Sequence, residues 1–316
     1  MSDNQFSNRT KYKIHNDALR YSWAAYNIFI LLSSLIGDTT ILVTSIKYRA
    51  FKLHKFIVVV IKHIAACDLM VSIVSVFSRV VSLIADGWVL GNILRYVEAY
   101  GICYFNVIGL ILISVMTSSE LLIIKFPIWG RHLLGHKGQR VCVAVWVVAL
   151  ALPIIAFALD GEDVIFDFRL YGCRLAWSAD IWTLVKPVLY GLFILVPNVL
   201  VVVTTSCLLI IVRKFARRKG HNLRWESVIT TILVAITYCI SVLPYTVYIF
   251  ISISEVSFAD DQSSFFRTHY SRLVTSLILI NTVSNFYIYS LTVASFRTFM
   301  RSFELNLFNR VDNTVL

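Results

Sequence analysis

Acidic side chains lie inside long apolar stretches of this 316-residue chain, at Asp38, Asp68 and Glu120. Ionisable groups in such surroundings are costly, so by default they indicate a function, for example in an ion or proton pathway. The sequence contains no Gly-rich phosphate loop, no HExxH pattern and no arrangement of nucleophile, His and acid. Its six cysteines show no CxxC spacing, which argues against a metal site and a disulfide framework. We therefore expect no enzymatic activity.

The composition indicates that much of the chain is surrounded by lipid. Hydrophobic residues make up 58% of the sequence and charged residues 15%, whereas soluble domains average about 45–50% and about 25%. So much apolar surface cannot be buried within one or two soluble cores. A soluble enzyme, a nucleic-acid-binding protein and a secreted disulfide scaffold are therefore disfavoured.

Apolar runs long enough to cross a bilayer as helices, for which roughly 20 residues suffice, occur seven times. They cover approximately residues 22–46, 56–84, 96–124, 140–159, 183–212, 227–253 and 270–292. The connections between them are too short for a second domain. The sequence thus predicts an all-α membrane protein, a bundle of seven transmembrane helices.

A short amphipathic stretch follows the last run, at residues 294–305. Aromatic, apolar and basic side chains recur there at helical spacing: Phe296, Arg297, Phe299, Met300, Arg301 and Phe303. This pattern predicts a helix that lies on the membrane surface. The chain is thereby divided into an amino-terminal arm (1–21), the seven-helix domain (22–292) and the amphipathic helix with a short cytoplasmic tail (293–316).

The distribution of Lys and Arg predicts the orientation of the bundle. Most of these 29 residues lie in the first, third and fifth connections and in the tail, and such segments are typically cytoplasmic. Lys62 and Arg79, near the ends of the second run, can extend their charged ends outward. The net charge of +11 is thus mainly a topology signal and does not indicate a nucleic-acid partner.

A glycosylation sequon supports the same orientation. Asn8 begins the triplet Asn8-Arg9-Thr10, which can be glycosylated only if the amino-terminal arm lies outside the cell. Four basic residues in that arm oppose this assignment. We expect a multi-pass plasma-membrane protein with an extracellular amino terminus.

This organisation resembles that of the rhodopsin-like (class A) G-protein-coupled receptors over about residues 22–305. Residues that match markers of the family occur in order along most helices. They are Asp68 in IAACDL, Trp88 in WVLG, Pro127, Trp146, Pro197, Pro244, Asn285 and Tyr289 in NFYIY, and Phe296-Arg297 at the start of the surface helix.

The chain departs from the family pattern at several of these positions. Glu120, in SSELL, stands where the third helix of the family carries the Arg of Asp-Arg-Tyr. The sixth-helix Cys-Trp-x-Pro becomes Ser241-Val242-Leu243-Pro244. Phe286 replaces the Pro of the seventh helix, and Asp38 replaces the Asn of the first. The missing Arg leaves coupling to a G protein open, because in the family that side chain reaches the G protein.

The disulfide that the family forms between its third helix and its second outer loop is also affected. Arg95 stands where the family has the helical Cys, so Cys173 lacks its usual partner. Cys103 lies eight residues further along, about 12 Å along a helix axis. We therefore do not expect a bond between Cys103 and Cys173.

The resemblance implies a polar core in which Asp38 and Asp68 face each other. Asn281 and Asn285 would lie nearby, as in the sodium and water pocket of these receptors. Two neighbouring carboxylates should not both be charged unless a cation is bound, which predicts a sodium ion at Asp68 and no other cofactor. Gly109 stands where a hydroxyl often contacts the ion. The alternative is a solvated polar cluster that only holds the helices together.

The resemblance also implies an activation switch, built from Glu120, Arg224, Pro244 and Tyr289. In many relatives the third-helix Arg pairs with an acid twenty residues before the sixth-helix Pro, and here that position is Arg224. Glu120 and Arg224 would form the same pair with both charges reversed. The alternative is coincidence, because the third inner loop is rich in Lys and Arg.

A ligand cavity is expected between the outer halves of the third, fifth, sixth and seventh helices. Ile102 replaces the Asp of amine receptors and Leu279 the retinal-binding Lys of opsins, which argues against both ligand classes. The outer connections hold most of the acids and could steer a cationic peptide, or form a solvated rim. The candidate lining residues are Ile102, Cys103, Asn106, Tyr245, Thr246, Thr275 and Leu279.

Together these features predict a receptor that binds an unknown extracellular ligand and signals to a heterotrimeric G protein. Its basic inner loops could also attract anionic membrane lipid. Two alternatives remain open: a receptor-like protein that binds ligands or partners without activating a G protein, and a membrane transporter or channel.

Overall fold

The computed structural model describes most of the chain. The described residues are 14, 16–47, 53–128, 130, 137–160, 164–175, 185–216, 225–254, 263–294, 296–298 and 300–301. Within them, seven helices are long and apolar enough to cross a membrane: Asp17–Ile46, Lys55–Ile84, Gly91–Lys125, Gly138–Ile155, Phe193–Lys214, Trp225–Val247 and Tyr270–Thr292. They coincide with the seven predicted runs. We number these spans one to seven in chain order.

Most helices extend slightly beyond the predicted runs. Five spans are single helices: Asp17–Lys47, Gly91–Lys125, Val185–Ala216, Trp225–Ser254 and Ser263–Thr292. The second span comprises Lys55–Val71 and Phe77–Ile84, and the fourth comprises Gly138–Ala149 and Ala151–Asp160. The first helix starts at Asp17 rather than at residue 22, because the side chain of Asn16 accepts the backbone N–H of Leu19 and caps the helix.

The second span contains a π-helical segment, Ser72–Val76, one turn after Asp68. At its end the backbone N–H of Phe77 donates to the carbonyl of Ser72, five residues earlier, which is the π-helical pattern. A π turn takes up an additional residue, so it changes which side chains of the following turns face the bundle. Beyond it, Ser78, Arg79 and Ser82 are buried.

The distribution of apolar and polar side chains differs from that of a soluble protein. Large apolar side chains are exposed around the outside, among them Phe29, Ile36, Ile46, Val147, Ile154 and Leu291. Polar side chains such as Ser34, Asp38, Thr117 and Asn285 are buried inside. The apolar exterior can contact lipid, whereas polar groups must find hydrogen-bond partners within the bundle.

The third helix lies at the centre of the bundle and packs against the second, fifth and sixth. Its hydroxyls bind the fifth helix: Ser114 donates to the carbonyl of Pro197 at 3.0 Å, and Thr204 donates to Thr117 at 2.8 Å. The ring of Phe286 in the seventh helix packs so closely on the first that a Cβ on Gly37 would lie 2.8 Å from Phe286 Cβ.

The segment after the last span is helical where it is described. Phe296 is fully buried and meets the ring of Phe286 edge-on, with centroids 5.9 Å apart. Met300 packs against the core, whereas Arg297 and Thr298 are exposed. This separation of faces fits the predicted amphipathic helix; Phe299, Phe303 and the tail lie outside the described residues.

A β-hairpin covers the outer end of the third helix, which the apolar runs did not predict. Strand β1 (Val164–Asp167) pairs antiparallel with β2 (Gly172–Leu175). In the turn, Asp167 accepts the backbone N–H of Arg169 at 2.9 Å. Phe166, Phe168 and Tyr171 pack edge-to-face beside it.

A carboxylate attaches this hairpin to the third helix. Oε2 of Glu98 accepts the backbone N–H of Cys173 at 3.1 Å, and the Glu98 side chain is only 1% exposed. A Cβ on Gly172 would lie 2.8 Å from Glu98 Oε1, so a larger residue there would force the Glu98 side chain to shift. All six cysteines are free, which agrees with the expected absence of a Cys103–Cys173 bond. The hairpin is thus held where the family uses a disulfide, but by a buried hydrogen bond.

Replacing Gly37 by Ala should destabilise the bundle, because the new methyl group overlaps Phe286 and the first and seventh helices must separate. We expect a loss of about 1–3 kcal/mol, the usual effect of overpacking, measured by thermal unfolding in detergent. Gly109→Ala is the matched control: nothing lies within 4 Å of a Cβ there, so stability should be unchanged or slightly higher. Equal effects of the two substitutions would contradict the described packing.

Replacing Glu98 by Ala should also destabilise the protein, because the buried N–H of Cys173 loses its acceptor, an effect of about 1–3 kcal/mol. Cys173→Ser retains that N–H and should leave the melting temperature unchanged, as should a reducing agent. A loss of stability on reduction would show that a disulfide is present.

The Cys173 thiol provides a separate check. Burial, followed by the adjacent Glu98 carboxylate, raises the pKa of this thiol well above its usual range. The thiol is therefore protonated at neutral pH and should react slowly with iodoacetamide in the folded protein, faster as the pH rises. After denaturation without reduction, all six cysteines should be alkylated.

Candidate functional site

A chain of buried hydroxyls leads to Asp38 in the middle of the bundle. Ser72 Oγ donates to Ser34 Oγ at 2.6 Å, and Ser34 Oγ donates to Asp38 Oδ2 at 2.5 Å. Ser34 and Asp38 are four residues apart and therefore on one face of the first helix. The second carboxylate oxygen of Asp38, Oδ1, is buried and has no hydrogen-bond partner among the described residues. It is thus available to a cation, a proton or water.

Asp68 connects the second and seventh helices. Asn285 Nδ2 donates to Asp68 Oδ2 at 2.7 Å, and both side chains are buried. Asp68 is also close enough to Asp38 for their charges to repel each other directly. The structure therefore brings together Asp38, Asp68 and Asn285, as the resemblance implied, and adds Ser34 and Ser72, which the sequence had not singled out.

A cavity of about 50 Å³ extends from this polar core towards the outer side. A single water needs about 10–15 Å³ of such space, so the cavity has room for a few waters or a small hydrated cation. Asp68, Asn281, Gly109 and Tyr238 contribute to its inner part. Gly109 supplies no hydroxyl there, but the side chains of Asp68 and Asn281 provide oxygen atoms that a cation could bind.

The predicted ligand-pocket residues are divided by the structure into three groups. Four of them line the same central cavity as Asp68: Cys103, Asn106, Tyr245 and Thr246. Thr275 and Leu279 instead line a second cavity between the first, second and seventh helices and the hairpin. Ile102 is half-buried and lies outside the lining of both.

At the inner end, Glu120 and Tyr289 are both buried. The Tyr289 hydroxyl makes no hydrogen bond within the described part of the chain. Thr205, which replaces the fifth-helix Tyr of the family, is buried as well. Arg224 lies outside the described residues, and so does the predicted pair of Glu120 with Arg224; Asn8 and its sequon also lie outside.

Pro244 joins the sixth and seventh helices. It lies inside the continuous helix Trp225–Ser254, and its carbonyl accepts the hydroxyl of Tyr270 at 3.3 Å. Proline has no backbone N–H to donate to the preceding turn, and the bond from Tyr270 links the sixth helix to the seventh at this position. Pro244 therefore lies in the outer half of the bundle, whereas Glu120 and Tyr289 lie at its inner end.

The sequence suggested that Arg79 extends outward to the membrane surface, but in the structure it is only 6% exposed. It lies beside Glu98: a Cβ built on Gly172 would be in contact with both side chains. The buried charge of Glu98 explains this position: an opposite charge nearby compensates for the loss of hydration. Arg79 and Glu98 are ionisable residues within spans, the same signal that identified Asp38 and Asp68.

No group of three His, Cys, Asp or Glu side chains that could hold a metal ion occurs in the described ranges.

A family model described as 7 transmembrane receptor (rhodopsin family) matches residues 37–289. No curated protein matches the chain. The matched range covers most of the sequence, from the first span to Tyr289. The chain therefore belongs to the rhodopsin family of seven-transmembrane receptors.

Proposed function

We propose that this protein is a plasma-membrane receptor with an extracellular amino terminus, in which a ligand shifts the helix packing and thereby signals to a heterotrimeric G protein. The observation that carries this proposal is the continuity of the central cavity. The candidate ligand-binding residues Asn106 and Thr246 line the same space as Asp68 and Asn281. A ligand can change the balance between two packings only if it binds them differently, and this shared cavity gives it access to the polar core.

Sodium at Asp38 and Asp68 is part of the proposal. Oxygen ligands suit a hard cation, and the orphaned Asp38 Oδ1 lies among buried carboxylate and hydroxyl groups. A bound cation would also remove the repulsion between the two carboxylates. Sodium would therefore stabilise the packing in which the first, second and seventh helices meet, the inactive state of the receptor.

Sodium should raise the melting temperature of the purified protein relative to N-methylglucamine at equal ionic strength, by about 2–4 °C for a site near saturation. Asp68→Asn should abolish this difference, because the amide carries no charge. Asp17→Asn, the same change on the exposed first turn of the first helix, should preserve it. A sodium effect that persists in Asp68→Asn would contradict the ion site.

The inner end of the proposed receptor is held by Glu120 and Arg224. Glu120 is buried in the third helix, and Arg224 directly precedes the sixth helix, which begins at Trp225. The attraction between these two charges has the same sign as in the family, where the acid and base are exchanged. The inner surface, including Pro127, Tyr289 and the basic connection 213–224, would then contact the G protein.

A charge-exchange cycle tests this pair. Glu120→Arg and Arg224→Glu should each raise basal guanine-nucleotide exchange several-fold, because like charges push the third and sixth helices apart. The double variant should return to the wild-type rate, since the attraction is restored. Lys214→Glu, on the same basic connection, serves as the control and should not be rescued by Glu120→Arg. Additive effects in the double variant would remove the pair from the mechanism.

A second candidate function is a receptor-like protein that binds ligands or partners without activating a G protein. It is favoured by Glu120 and Thr205, which replace two residues of the family's activation contact. Nucleotide exchange measured against a broad ligand panel, with arrestin recruitment in parallel, separates the two. A transporter or channel is less well supported, because the sixth and seventh helices are continuous, whereas transporter sites typically use discontinuous helices.

A further inference from the structure

A second cavity lies at the outer side of the bundle, between the first, second and seventh helices and the turn of the hairpin. Its volume is about 30 Å³. A buried water molecule needs about 10–15 Å³ of such space, so the cavity has room for two water molecules. Thr275 and Leu279, which the sequence placed in the ligand pocket, line this cavity. They therefore surround a space that is too small for an organic ligand.

Three buried polar atoms of residues that line this cavity have no hydrogen-bond partner among the described residues. They are Oδ1 of Asn27 on the first helix, Nε of Arg79 on the second and Oγ1 of Thr275 on the seventh. All three residues are more than nine-tenths buried. A buried polar group without a partner is costly, so three helices each present an unmet hydrogen bond to the same small space.

Other polar residues of the cavity lining already have partners. The Tyr171 hydroxyl donates to Asp86 at 3.3 Å. The Ser276 hydroxyl donates to the backbone carbonyl of Arg272 at 2.8 Å, and Arg272 Nε donates to that of Arg169 at 3.2 Å. The need for a further partner is thus clearest at the three unsatisfied atoms.

Arg79 needs an acceptor at Nε in addition to its counter-charge. Glu98 lies beside it and compensates the buried positive charge, while Glu98 Oε2 accepts the backbone N–H of Cys173. A buried ion pair is stable only if its remaining N–H groups also find acceptors. Because the charges of the pair are already balanced, a neutral acceptor suits Nε better than an anion.

The orientation of Asn27 also argues against an ion. Asn27 Nδ2 donates to the backbone carbonyl of Trp23 at 2.8 Å, which directs the amide nitrogen to its own helix and leaves the oxygen as the unsatisfied atom. That oxygen accepts hydrogen bonds and would repel an anion, whereas the guanidinium of Arg79 would repel a cation. The occupant must therefore be uncharged, and it must donate at Asn27 and accept at Arg79.

We propose that this cavity binds two water molecules, which bridge Asn27, Arg79 and Thr275 and so connect the first, second and seventh helices. Water donates and accepts, and the Thr275 hydroxyl can take either role. Two waters that bond to each other and to three protein groups each obtain at least two partners, as buried waters in proteins do. Such bridged contacts are nearly as favourable as direct hydrogen bonds.

Thr275→Val tests the proposal through the sign of its effect on thermal unfolding of the purified full-length protein in detergent. The waters lose a partner, so the melting temperature should fall by about 2–4 °C. Without bound water, the substitution would only remove an unsatisfied hydroxyl, and the melting temperature would stay the same or rise. Thr231→Val is the matched control: its Oγ1 is buried and also lacks a partner in the described part of the chain, but Thr231 lines neither cavity. It should not lower the melting temperature.

A double-mutant cycle examines whether the waters are shared. Thr275→Val and Asn27→Leu together should lower the melting temperature by less than the sum of their separate effects, because both remove partners of the same two waters. Additive losses would overturn the bridge, and so would an unchanged or higher melting temperature of Thr275→Val.

A density map of the full-length protein at a resolution that shows ordered water identifies the occupant directly. It should contain two peaks in the cavity, about 2.7–3.2 Å from their protein partners. A cavity without density, or with density for a larger molecule, would contradict the proposal. These measurements need neither a ligand nor a G protein, so their outcome is independent of the proposed receptor function.

Discussion

The hydrogen bond from Asn285 to Asp68 shows the constraint on which the bundle depends: polar groups facing lipid find no partners, so they must meet one another inside. This bond connects two residues that lie 217 positions apart in the sequence. The chain from Ser72 through Ser34 to Asp38 connects the first and second helices in the same way. The interior of the bundle therefore contains a polar cluster within an apolar core, and large apolar side chains also cover the outside.

The chain has lost several of the family's marker residues and replaces two of them with different contacts. Phe286, in place of proline, packs on Gly37 and on the buried Phe296, so it connects the first helix, the seventh helix and the segment that follows. Glu98 holds the hairpin through the backbone of Cys173, where relatives use a disulfide. In each case a glycine, Gly37 or Gly172, lies so close to the replacing side chain that a Cβ there would come within 2.8 Å of it.

Two cavities with opposite electrostatic character divide the outer half of the molecule. The charged residue that lines the central cavity is the carboxylate Asp68, whereas the charged residues that line the second cavity are Arg79, Arg169 and Arg272. One charged residue of each cavity comes from the second helix, with Asp68 on the inner side of the π segment and Arg79 on its outer side. A change of helical register within one span thus places an acid and a base in separate compartments.

The apolar runs by themselves determined the seven spans, because bilayer thickness and the need to satisfy the backbone are both visible as run length along the chain. They also identified Asp38 and Asp68, since an ionisable residue in such a run is conspicuous. Helix ends were harder to predict from the sequence: the first helix begins earlier than its apolar run because of the cap at Asn16. Glu98 and Arg79 carried the same signal but lie near the ends of their runs, where a charged residue is ordinary.

Only the tertiary structure decided which of these residues meet. Ser34 and Ser72 look like any helical serines, and Arg79, Arg169 and Arg272 belong to three different segments of the sequence. Their relations depend on helix rotation and side-chain placement within an ångström or less, because a hydrogen bond is lost over such a distance. Spacing along the chain contains no information on that scale between separate helices, which is why the sequence predicted the bundle but not its hydrogen bonds.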